Sequence, residues 1–349
     1  MTGMFRKVVV MTAIASALTG LTACSSTPPV TFTNPMKDIG NDPYVIQQDS
    51  YYYLAESWAD GLWVTRSSKD NLTDIAWAGE RVKVWSRPLD GPNCAELWAP
   101  ELYPIGDRWY IYYSASTCDD ETDWNHRMFV LESDGSDPLG TYHDLGKITD
   151  QSDLWAIDGT RFEWHGKAYF VWSGRPDEFR RSQDLYIAEM ASPTQLIGTR
   201  VKLSSPDYRW ESSDWPTNEG PEALVTADAV FLVYSANFSA GDHYCYGMLT
   251  ARSDDLLNPD AWQKSPTPVF EGNADVISPG HGTFVKSPDG KQWWMVYHSA
   301  RRAGSGWDRV MSAQPFTWKN GAPAFGTPVT PGVAIPVPSG QVKPAGAIQ

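Results

Sequence analysis

The chain has 349 residues, 42% of them hydrophobic, and a formal net charge of −14. Such a negative surface repels nucleic acid and polyanionic substrates such as pectate. Aromatic residues make up 13% of the chain and include 17 tryptophans. Most are expected in a core, but indoles also suit the apolar face of a sugar ring.

Residues 1–23 read as a signal peptide: basic Arg6-Lys7, an apolar stretch from Val8 to Leu18, then Leu21-Thr22-Ala23-Cys24. The apolar stretch is too short for a stable membrane span. Its ending resembles a bacterial lipobox, in which Cys24 carries the lipid; a plain secretory signal cleaved near Ala23 is the other reading. Residues 24–31, with Ser25-Ser26-Thr27-Pro28-Pro29, read as a flexible tether. An exported lipoprotein of the cell envelope or surface is expected, touching the membrane only through its anchor.

Five aromatic runs follow, beginning at residues 51, 109, 168, 230 and 293. Tyr51-Tyr52-Tyr53 opens the first and Trp293-Trp294-Met295 the last. Before each comes a short segment and a polar turn, and after each a third apolar piece such as Leu62-Trp63-Val64 or Leu185-Tyr186-Ile187. Runs rich in β-branched and aromatic residues between Gly, Asp and Asn turns are strands and hairpins. One supersecondary unit repeated radially gives an all-β fold, a five-bladed β-propeller, over residues 32–340. A β-sandwich has no reason to space five matched hairpins evenly. The stretch after Pro328 is expected to wrap the surface or add a strand, with residues 341–349 loose.

Export places the cysteines in an oxidising compartment. Cys94 and Cys118 flank the turn at Gly106-Asp107 nearly symmetrically, so a Cys94–Cys118 disulfide is expected across that hairpin's base. Cys245 is left over.

In a propeller the first strand of each blade lines the central axis. The equivalent starts carry Asp42, Ala99, Asp158, Glu219 and His281. A radial fold gathers three carboxylates and an imidazole into one cavity. Two carboxylates are the minimum for glycosidic hydrolysis, and a third raises the pKa of whichever must stay protonated.

The phrases Asn41-Asp42-Pro43-Tyr44-Val45, Trp98-Ala99-Pro100-Glu101, Ile157-Asp158-Gly159, Glu219-Gly220-Pro221 and Gly280-His281-Gly282 fall one per blade. With the stretch from Arg309 to Trp318, they resemble glycoside hydrolase family 43. The resemblance implies inverting action on arabinose- and xylose-containing polysaccharides. It casts Asp42 as general base, Glu219 as general acid and Asp158 as the carboxylate that tunes and orients the acid. Glu222 is the rival acid, expected to face outward. Arg309 matches an arginine at the sugar pocket. His281 matches a histidine that supports a calcium ion through water, so a structural Ca²⁺ in the channel is expected. Trp98 is the leading stacking platform, with Trp58 and Trp172 behind it.

Leu97-Trp98-Ala99-Pro100-Glu101 and Ala156-Ile157-Asp158-Gly159-Thr160 look most like the exo-acting α-L-arabinofuranosidase branch, acting on arabinan or arabinoxylan as a monomer. β-Xylosidase, endo-α-1,5-arabinanase and a non-catalytic carbohydrate-binding propeller remain open at this point.

Overall fold

The computed structural model describes residues 1–2, 30–120 and 123–342. The signal sequence, Cys24 and most of the tether lie outside those residues, as do residues 343–349. The chain forms five four-stranded antiparallel sheets, each from one contiguous stretch of sequence, plus a separate two-stranded sheet. The first strands of the blades are Tyr44–Gln48, Ala95–Ile105, Ala156–Trp164, Asn218–Val225 and Ile277–Lys286. They pack on one another around the axis. This is the five-bladed propeller expected from the repeat.

The aromatic runs are the second strands: Tyr51–Trp58, Arg108–Ser116, Lys167–Gly174, Val230–Ala236 and Trp293–Ala300. They do not alternate apolar with polar because both faces are buried between neighbouring blades. Alternate residues therefore serve opposite interfaces. Phe170 and Trp172 pack with blade 2, while Tyr169 and Val171 pack with blade 4. Tyr53 and Ala55 pack towards blade 2, while Tyr52 and Leu54 pack towards blade 5.

The ring is closed by a clasp outside the blades. Thr31–Thr33 pairs antiparallel with Ala334–Pro336, so the folded domain begins within the expected tether. Asn34 copies a strand partner, exchanging hydrogen bonds with the Ala313 carbonyl (2.9 Å) and amide (3.0 Å). Residues 341 and 342, where the expected loose end begins, are held in place. The Gln341 carboxamide accepts from the Leu72 amide at 3.1 Å, and the Val342 amide donates to the Asp70 carbonyl at 3.2 Å. Residues 337–342 thus form a strap across the seam between blades 5 and 1, where the Asp289 amide also donates to the Ser339 carbonyl at 3.4 Å.

Cys94 and Cys118 are joined, with Cα atoms 5.3 Å apart. The neighbouring residues Ala95 and Ser116 are paired across the same hairpin. Cys245 is free and buried.

Candidate active site

A cavity of about 920 Å³ opens at one mouth of the axis and is lined by Asp42, Asp158, Glu219, His281 and Arg309. The backbone that delivers these groups follows one rule. Asp42, Ala99, Asp158, Gly220 and His281 all have positive φ, between 33° and 56°. In blades 2 to 5 the ladder between first and second strands breaks register across this residue. For the four that are not glycine this conformation costs about 1 kcal/mol each, and such sites cluster where function needs a side chain re-aimed.

This register corrects the sequence alignment of blade 4. The equivalent residue there is Gly220, and Glu219 stands one position earlier. The reason is steric. A Cβ on Gly220 would lie 2.8 Å from the His281 ring. Glycine brings the backbone close instead, and its amide donates to Asp158 Oδ2 at 3.0 Å.

The amides of three re-aimed residues are held by the second strand of the preceding blade. Asp158 N–H donates to Ser114 Oγ (3.2 Å), His281 N–H to Ser235 Oγ (2.8 Å) and Asp42 N–H to His298 Nδ1 (3.1 Å). His298 escaped sequence reasoning because it extends an aromatic run that reads as core.

The electrostatics separate the carboxyl groups. Burial raises the Asp42 pKa, but His281 Nδ1 at 3.2 Å, His298 and Arg309 Nη1 at 3.2 Å outweigh it. Asp42 is held well below the usual carboxylate range. Glu219 is pushed up to about 8, first by burial and then by the charge of Asp158. The Tyr244 hydroxyl donates to Glu219 Oε1 at 2.8 Å and fixes its orientation. Asp158 rises to about 6, through burial opposed by His281. Burial lowers the His281 pKa, but Asp42 and Asp158 override it and lift the ring to about 9. His298 falls to about 3 through burial and Arg309, so it stays neutral. The site pairs an ionised carboxylate with a protonated one, the division general acid–base chemistry requires.

Two residues past each left-handed position the chain again faces the axis. The five residues there are Tyr44, Glu101, Thr160, Glu222 and Thr283. They form a second ring inside the channel. Thr160 Oγ1 and Thr283 Oγ1 donate to the Glu222 carboxylate at 3.3 and 3.4 Å, and the Tyr103 hydroxyl bonds Glu101. Glu222 therefore faces the channel, not outward, yet it is not among the cavity-lining residues. Burial pushes it up to about 8. Period-2 counting from the motif residues was the signal that could have found this ring.

Trp98 and Trp58 line the cavity; Trp172 does not. Trp172 is 4% exposed, with Phe170 and Tyr186 rings 6.0 and 6.2 Å away, so its role is blade packing. Arg309 spends its guanidinium on Asp42 and on the Ser239 carbonyl at 2.8 Å.

A five-bladed propeller with an ionised carboxylate and a protonated carboxylic acid at its axial mouth has the architecture and the chemistry of a glycoside hydrolase. The comparisons make the class specific. The family described as "Glycosyl hydrolases family 43" matches residues 32–323, and the chain belongs to that family. It is 35% identical over 342 residues to the "Extracellular exo-alpha-(1→5)-L-arabinofuranosidase" of Streptomyces avermitilis, covering 92% of this chain and 70% of that protein. The protein of the same name from Streptomyces chartreusis is also 35% identical, over 82% of this chain and 88% of its own. Among solved structures, an alpha-L-arabinofuranosidase from Lactobacillus brevis superposes with a TM-score of 0.80 at 34% identity, covering 86% of this chain and 98% of that one.

Proposed function

We propose that this chain is an exo-acting α-L-arabinofuranosidase that removes terminal arabinofuranose from arabinan or arabino-oligosaccharides with inversion. The single observation that carries the reading is the split between Asp42, held ionised, and Glu219, held protonated, on one cavity. Arabinofuranosidase relatives at about 35% identity supply the substrate class. Asp42 would take a proton from the attacking water, and Glu219 would give its proton to the departing oxygen. Asp158 keeps Glu219 protonated through its charge and is tied to the acid's strand through the Gly220 amide.

Linear arabinan and branched arabinan should each release arabinose without oligosaccharide intermediates; a ladder of short products would refute exo action. Asp42→Asn and Glu219→Gln should each lower turnover by about 10²–10⁴-fold, measured with an aryl arabinofuranoside. Full activity in both variants would leave a non-catalytic sugar-binding propeller as the better reading.

The reading extends to a channel cation. Hard oxygen donors suit Ca²⁺, and Glu101, Glu222, Thr160 and Thr283 supply them. Among the described residues, no group of three His, Cys, Asp or Glu side chains is placed to hold a metal. Water would therefore complete the shell, with His281 too basic to ligate directly. When bound, the cation would neutralise the buried carboxylates. Chelation should then lower the melting temperature and added Ca²⁺ restore it; an unchanged melting curve would count against the cation.

Export to the cell envelope fits the signal-like N-terminus, the disulfide and the relatives' extracellular names. Anchoring through Cys24 is part of this proposal. A monomeric state is part of the same proposal.

A further inference from the structure

Trp98 is half-buried and lines the cavity. One face of its indole is already filled. The His126 imidazole lies against it with ring centroids 3.8 Å apart and planes 19° from parallel. A ligand in the cavity meets the rest of the indole. His126 is 1% exposed, so it is a backing and not a ligand contact.

Both ring nitrogens of the imidazole lie close to oxygen atoms. Its Nδ1 lies 2.8 Å from Asp123 Oδ1, and its Nε2 lies 3.3 Å from the Glu96 carbonyl oxygen. Asp123 is in turn gripped by Arg175, whose guanidinium donates to Asp123 Oδ2 at 2.7 Å and to the Asp123 carbonyl at 2.8 Å. That guanidinium sits over the Trp155 ring at 4.2 Å. The chain from Trp155 through Arg175, Asp123 and His126 to Trp98 crosses from the entry to blade 3 back to the first strand of blade 2.

We propose that His126 is a positioning residue that holds the Trp98 platform for the sugar. The proposal rests on the reading of this cavity as an arabinofuranoside site. Trp98 immediately precedes the left-handed Ala99, where the strand register breaks. The local backbone pairing alone therefore fixes the indole less firmly than an unbroken ladder would. A flat ring behind it supplies the missing constraint, and a platform already in place costs a ligand no ordering on binding. Because Trp98 would contact bound sugar and not the proton-transfer groups, losing its backing should weaken binding and leave the chemistry intact.

The experiment compares wild type, His126→Ala, His126→Phe, Trp98→Ala and the Trp98→Ala/His126→Ala double variant on linear arabinotriose and on an aryl arabinofuranoside. His126→Ala should raise KM about three- to tenfold, the worth of one aromatic pair. Its kcat should stay within about twofold of wild type and the pH profile should not move. His126→Phe keeps a flat ring and should restore KM to within about twofold of wild type. In the Trp98→Ala background, His126→Ala should add nothing further, since the group it positions is gone. A KM unchanged in His126→Ala, effects that multiply in the double variant, or a His126→Phe variant as impaired as His126→Ala would each overturn the proposal. If His126→Ala does not fold, the His126→Phe result decides alone. A wild type inactive on both substrates sinks the functional reading and this proposal together; an active wild type with unaltered KM in His126→Ala sinks only this one.

Discussion

Glu219 owes its proton first to burial and next to the negative charge of Asp158. This gives the pH profile a definite shape. With Glu219 as the proposed acid, activity should fall as pH rises through about 8. At that pH Asp158, titrating near 6, carries the charge that holds the acid up. In Asp158→Asn that charge is absent, and the Glu219 pKa should drop back towards its ordinary 4.5. The basic limb of kcat/KM should therefore move to lower pH, with a loss of rate at neutral pH. A limb that stays near 8 in Asp158→Asn would show that burial alone sets the acid. The three carboxyl groups were legible in the sequence because each stands in a motif at a blade start. Their partners His298, Tyr244 and Ser114 were not. Each lies in an aromatic or apolar run whose pattern says only that it is buried.

At the scale of elements, the second strands were readable as strands because length and aromatic content marked them. Why they are apolar on both sides required the blades to be packed together. Trp172 shows the cost of reading without that packing: alone it resembles a sugar platform, but in place it fills the interface with blade 2. The blade 2 hairpin carries the disulfide, with a sequence separation of 24 residues. Cross-linking a loop of that size stabilises by about 3 kcal/mol, chiefly through the unfolded chain. The Cys94→Ser/Cys118→Ser variant should lose about that much in urea unfolding, with turnover per folded molecule retained. An unaltered midpoint would mean the pair contributes nothing.

The whole molecule depends on closing a ring whose blades do not share strands. The clasp joins residues 31–33 to 334–336 and buries Ile335 at 5% exposure. Ser339 and Gln341 then tie the strap to blades 5 and 1: the Ser339 amide donates to Gln292 Oε1 at 3.0 Å, and the Gln341 carboxamide bonds the Thr73 hydroxyl at 2.6 Å. One buried Ile and several hydrogen bonds amount to about 4 kcal/mol. Ending the chain after residue 329 should lower the melting temperature by about 5–10 °C and expose the blade 5–blade 1 seam to proteolysis. Equal melting of the two forms would show that blade packing alone closes the ring.

The sequence by itself determined the number of blades, the second strand of each and the motif residues at each axial entry. These are local properties, set by the period of apolar residues and by turn chemistry within a single unit. Only the tertiary structure decided which neighbouring residue points into the cavity. A one-residue shift at Gly220 sends Glu219 to the site and Glu222 to the ring beneath it. That choice depends on the His281 ring, 61 residues away, occupying the space a side chain on residue 220 would need.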